Sequence, residues 1–349
     1  MTLDSRSTKR RRVSSSPQTI VILPPGQSRT LDSDNGQQQF TRHADFWLDD
    51  GNLILIAGDT AFRVYQGLLK KVSSVFADMF ATGSADATET FDGCPVVRLP
   101  DHPKDLSDFL QYLMPCSKLT LHDGLPVSDF AELHAAVHLA HKYQCPDVET
   151  RALSVLKKFY TPRFTNRSSG PYYTPEGFAN RPSMSAAIAA VNIARLTDTP
   201  SMLPFALYEA CTLEERILDG YERRDGSVEH LAHKDLRLCL RARGELAKQL
   251  ALFIQDVFRT GPSAECESPP QCSAALNTVC DEVQVDVLGG CRIFDFATDE
   301  VSVLLCKECV TWIRLREEVE RKTVWDMLPH TFGMTTKECG FTSGDELLQ

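Results

Sequence analysis

The sequence predicts an α+β domain, a small sheet flanked by helices, over residues 41–160, followed by a mainly α-helical domain over 182–338. Three observations carry that expectation. Two short β-rich apolar runs flank Gly58-Asp59. Paired segments of helical period then lie on either side of one more strand-like run. After Pro182 helical patterns resume. A chain of 349 residues also exceeds one small core and suggests about two domains.

Residues 1–40 read as a disordered tail, because a Ser-, Gln-, Arg- and Asp-rich segment buries too little apolar surface to offset its ordering entropy. Its one apolar patch is Ile20-Val21-Ile22-Leu23. Lys9-Arg10-Arg11-Arg12, followed by Ser14-Ser15-Ser16-Pro17, is read either as a nuclear import signal tuned by phosphorylation or as a solvated basic tail.

From Phe46 onward order is expected. Asn52–Ala57 and Thr60–Val64, joined by Gly58-Asp59, read as a β-hairpin. Leu68 and Leu69 face inward, and Ser73 caps a helix carrying Val75, Phe76, Met79 and Phe80 that Gly83 can end. Val96–Leu99 is a third strand, closed by Pro100. Pro103 opens a helix with Leu106, Phe109, Leu110 and Leu113 on one face, stopped before Pro115. A helix from about Ser128 to Tyr143 buries Phe130, Leu133, Val137 and Ala140. Pro146 starts the next, with Val148, Ala152, Val155 and Phe159 inward.

This ordered set resembles the BTB/POZ domain, in the layout abundant in mushroom-forming fungi. The resemblance rests on Asp50–Leu55, Phe62-Arg63-Val64-Tyr65, Leu68-Leu69, Ser73–Phe76, Met79-Phe80, Val96–Pro100, Leu139–Tyr143, Val148 and Arg151-Ala152-Leu153, about a third of the chain. It implies a dimerising protein-interaction module. The chain departs from the family where members carry His, here Tyr65, and where relatives place a charge pair, here Asn52 and Gln66. A neutral pair can hydrogen-bond but supplies no charged pocket, which argues against pocket-dependent corepressor binding.

Residues 161–181 read as a linker pinned by Phe164, Tyr172 and Tyr173. In the helical domain Met184, Ile188 and Val191 share a face, as do Leu246, Leu250, Phe253 and Val257. Trp325, Leu328 and Phe332 read as anchors that pack the terminus back, and 339–349 as a flexible tail.

Chemistry concentrates in the cysteines. MTLDSRSTKRRR has no apolar stretch of the signal-peptide kind, so a reducing intracellular setting, nuclear or cytoplasmic, is expected for the 12 cysteines. Cys266 and Cys272 flank Glu-Ser-Pro-Pro-Gln in a loop, and Cys306-Lys307-Glu308-Cys309 opens a helical segment. Together they read as a Cys₄ structural zinc site that ties down the 33 residues between the pairs. Cys280 and Cys291 are rival ligands, and buried free thiols are the competing reading. His134, His138 and His141 fall at metal-binding helical spacing but sit beside an apolar stripe. With Ala135 where a metalloprotease needs Glu, they read as an ordinary amphipathic face.

No run reaches the roughly 18–20 apolar residues of a spanning helix. A net charge of −10 disfavours nonspecific nucleic-acid binding. The sequence lacks a glycine-rich phosphate loop, nucleophile elbow and Rossmann fingerprint, so no catalytic residue is expected. The expected function is a protein-binding adaptor or scaffold, with a second copy of the chain (a homodimer) among its partners by resemblance. Alternatives are a zinc-stabilised nuclear regulator and a substrate receptor for a cullin-type ubiquitin ligase.

Overall fold

The computed structural model describes residues 20–25, 38–83, 89–114, 121–122, 125–164, 177–286, 290–294 and 303–341. The chain is mixed α/β and divides into two compact units, Met1–Leu110 and Gln111–Gln349. Lys9–Arg12, Tyr172 and Tyr173 lie outside the described residues.

The first unit is built on six strands: β1 (Ile20–Leu23), β2 (Gln38–Trp47), β3 (Leu53–Ala57), β4 (Thr60–Val64), β5 (Thr90–Phe91) and β6 (Cys94–Leu99). Their order in the sheet is β1-β2-β4-β3-β6-β5. The predicted hairpin forms with Leu55 opposite Phe62, and Gly58 turns it at φ +53°, a value that favours glycine. β3 then lies between β4 and a parallel β6, which explains why all five of its residues are buried and why its sequence is continuously apolar. Ile54 and Ile56 share one face with Ile22, Phe40, Ala61 and Cys94; alternation sends Leu53, Leu55 and Ala57 to the other.

The tail expectation requires a correction at β1. Ile20–Leu23 pairs parallel with β2, and Ile22 is buried. Ile20-Val21-Ile22 is apolar and β-branched, a composition suited to a half-buried strand, and Ile22 joins the sheet's apolar face.

Three helices accompany this sheet: α1 (Gln66–Val72), α2 (Ser74–Gly83) and α3 (Pro103–Leu113). Ser73 caps α2 as its side-chain oxygen accepts the Phe76 N–H at 3.0 Å. Asn52 Oδ1 accepts the Gln66 N–H at 2.9 Å, so a residue of the departed charge pair satisfies the first turn of α1.

The second unit holds β7 (Leu121–His122), β8 (Leu125–Pro126), α4 (Phe130–Lys142), α5 (Pro146–Phe159), α6 (Ala186–Leu196), α7 (Leu203–Cys211), β9 (Tyr221–Glu222), β10 (Val228–Glu229), α8 (His233–Phe258), α9 (Pro269–Asp286) and α10 (Lys307–Thr331). Asp129 and Glu132 form a reciprocal capping box at the start of α4. The expected span 41–160 is therefore shared between the units: its sheet falls in the first, and α4 and α5 in the second. The physical basis is that α4 packs on α6.

α7 is buried along its whole length and α6 along most of it, in keeping with their largely apolar sequences. α8 instead buries a stripe that includes Leu246, Leu250, Phe253 and Val257, as its spacing predicts. Trp325 of α10 is buried against Phe205 and Phe294, with ring centroids 5.1 and 5.3 Å away, and its Nε1 donates to Pro162 O at 3.2 Å. Leu328 and Phe332 are buried beside it in sequence, so the anchor reading holds. Packing continues past the expected end of the domain. Cys339 is buried and Phe341 stacks on Trp325 at 6.0 Å, which places 339–341 in the fold rather than in a tail.

Candidate metal centre

Two helix starts position the cysteine cluster. Pro269 and Pro270 occupy the first turn of α9, where a missing N–H costs nothing. That helix start corrects the loop expectation for Cys272, which sits on α9 while Cys266 precedes it. Cys306 is the N-cap of α10 and Cys309 lies in its first turn. The Sγ atoms of Cys266, Cys272, Cys306 and Cys309 all lie within 4.8 Å of one another, so the predicted quartet is brought together and could hold a metal ion.

The distances suit a tetrahedral ion. Cys266 Sγ and Cys306 Sγ are 3.7 Å apart, well beyond the roughly 2.05 Å of a disulfide. Four sulfurs bound at about 2.3 Å in a tetrahedron are separated by about 3.8 Å. Backbone N–H groups also point at sulfur: Cys306 N–H donates to Cys272 Sγ at 3.4 Å, and Ser263 N–H donates to Cys309 Sγ at 3.4 Å. Such donors stabilise thiolate charge and orient ligands around a metal. The positive ends of α9 and α10 act in the same direction.

Each thiol has its own environment. The Cys309 and Glu267 backbone amides hold Cys306 down to about 6, within the thiolate range at neutral pH. Burial pushes Cys309 up to about 12 and raises Cys266 as well. A bound cation would favour the thiolate at both.

Cys280 and Cys291 are buried outside this quartet, and burial pushes Cys291 up to about 11. The sulfurs that converge are those of the two outer pairs. The sulfur acceptors also depend on the backbone amides of Ser263 and Cys306, a role that no side-chain pattern announces. The histidine row of α4 divides, because His141 Nδ1 lies 3.1 Å from Glu149 Oε2 while His134 and His138 turn toward β10.

A scan against protein-family models finds no match for the chain, and a search of curated proteins finds none either. Among the described residues no helix is long and apolar enough to cross a membrane.

Proposed function

We propose that this chain is a protein-interaction adaptor of the BTB/POZ type that self-associates, with one structural zinc ion held by Cys266, Cys272, Cys306 and Cys309. The observation that carries the adaptor reading is the placement of β3. It is antiparallel to β4 and parallel to β6, with α1 and α2 in the crossover, which is the order of elements that the resemblance implies. The zinc reading rests on the convergence of four sulfurs with two backbone N–H donors. Zinc would supply a cross-link rather than a reaction: Cys266 and Cys272 would fasten the start of α9 to the start of α10 through Cys306 and Cys309.

The test is one purified sample. Light scattering at micromolar concentration is expected to give twice the 38.9 kDa chain mass, and elemental analysis at least one zinc per chain. A monomer at that concentration sinks the self-association reading. Zinc-free protein that takes up no zinc with its thiols reduced sinks the metal reading.

A further inference from the structure

A second convergence of ligand-type side chains lies apart from the cysteines. α4 carries His134 and His138 one turn apart, and the β9–β10 hairpin ends on Glu229. His134 Nε2 is 3.0 Å and His138 Nε2 is 3.7 Å from the same oxygen, Glu229 Oε1. The two imidazole centroids are 4.3 Å apart. His134 and Glu229 stand at ion-pair distance, yet no aligned hydrogen bond joins the cluster's ligand-type atoms. All three atoms are shielded from solvent, and among the described residues none has a protein partner with hydrogen-bond geometry. Buried polar atoms are nearly always bonded, so three that converge without bonds call for a common partner.

An ion meets that requirement geometrically. Nitrogen and oxygen ligands at about 2.0–2.2 Å in a tetrahedron sit about 3.3–3.5 Å apart, and the observed 3.0 and 3.7 Å straddle that spacing. The surroundings hold the ligands in place. Asn192 Nδ2 lies 3.3 Å from the other carboxylate oxygen, Glu229 Oε2, and also donates to His230 O, so the carboxylate is oriented from outside the cluster. The rings of Phe130 and Tyr221 flank His134 at 6.2 and 5.4 Å.

We propose that His134, His138 and Glu229 form a second metal site, which takes a divalent first-row transition ion through two imidazole nitrogens and one carboxylate oxygen. The ion ties the 221–229 hairpin to α4. Arg223 Nη1, 3.5 Å from Glu229 Oε1, is the competing cation. This site stands independently of the adaptor reading and of the cysteine cluster.

Cobalt(II) titration of the full chain separates the two sites by spectrum. Thiolate ligation produces intense charge-transfer absorption, whereas an imidazole and carboxylate site produces only weak ligand-field bands. One equivalent is expected with charge transfer and a second without it. His138→Gln should weaken the second by more than about 100-fold, since even outer partners of a ligand contribute 10–100-fold. Arg223→Ala should strengthen it. In the unmutated protein, zinc should also shift the Nε2 nuclear resonances of His134 and His138, a readout that needs no variant to fold. Unmoved histidine resonances, or a second equivalent that binds equally well to His138→Gln, would overturn the proposal.

Discussion

Cys266 and Cys306 bring their Sγ atoms to 3.7 Å across 40 residues of chain. Closing so long a loop costs entropy that a pair of thiols in weak contact does little to offset, whereas a metal bond offsets it readily. Cys309→Ser is therefore expected to weaken zinc binding by more than about 100-fold. A chelator should lower the thermal midpoint of the unmutated chain, and added zinc should restore it. A chelator without effect on a protein shown to contain zinc would remove the stabilising role.

Trp325 makes a different kind of contribution. Its ring fills the space between Phe205, Phe294 and Phe341, and its indole N–H satisfies the Pro162 carbonyl. Trp325→Ala should destabilise the second unit by about 3–5 kcal/mol, the range for large aromatic truncation in a core. Denaturant titration measures this directly, and a loss under about 1 kcal/mol would mean that the cluster carries little of the stability.

His43 links the first unit to pH. Its Nδ1 accepts the backbone N–H groups of Asp45 and Phe46 at 3.2 and 3.3 Å, and its ring stacks on Phe62 at 4.9 Å. Burial lowers its pKa below the usual 6.5, outweighing the opposing effect of Asp45. The folded state thus binds this proton less readily than the unfolded state. The contribution to stability is complete above pH 6.5 and is lost as pH falls below it through the lower folded-state value. Unfolding curves of His43→Gln should show a shallower decline over that interval; an unchanged slope would assign the acid sensitivity elsewhere.

Asn52 and Tyr65 separate a structural hydrogen bond from a peripheral one. Asn52 Oδ1 accepts an N–H from the first turn of α1, a group the helix itself cannot satisfy. Asn52→Ala should cost about 1 kcal/mol, as loss of a helix cap does. Tyr65 is exposed, and its hydroxyl donates to Asp50 Oδ1 at 2.6 Å, so Tyr65→Phe should leave the midpoint unchanged. Equal losses in chemical denaturation would show that this assignment of roles is mistaken.

Local features were readable in the residues themselves. The hairpin around Gly58, the Ser73 cap, the Pro103 and Pro146 helix starts and the buried stripe of α8 all follow from period, capping and turn chemistry, which act over a few neighbours. The C-x-x-C pair at 306–309 was legible for the same reason. Other features were hidden. β1 depends on β2 for its partner, and Phe341 on Trp325. The short β9–β10 hairpin was missed although Asp225-Gly226, with Gly226 at φ +78°, is a turn signal; strands of two residues leave no period to read.

By itself the sequence determined the β3–β4 hairpin and the capped or proline-started helices around it, the α+β character of its first strands and helices, and the four cysteines as a candidate ligand set. Tertiary structure alone decided that Cys272 stands on a helix, that Ser263 and Cys306 turn their amides toward sulfur, and that Glu229 reaches His134 and His138. The reason is physical. Propensity and period are set by adjacent residues, whereas these contacts join positions 34 to 95 residues apart and exist only once the cores between them have packed.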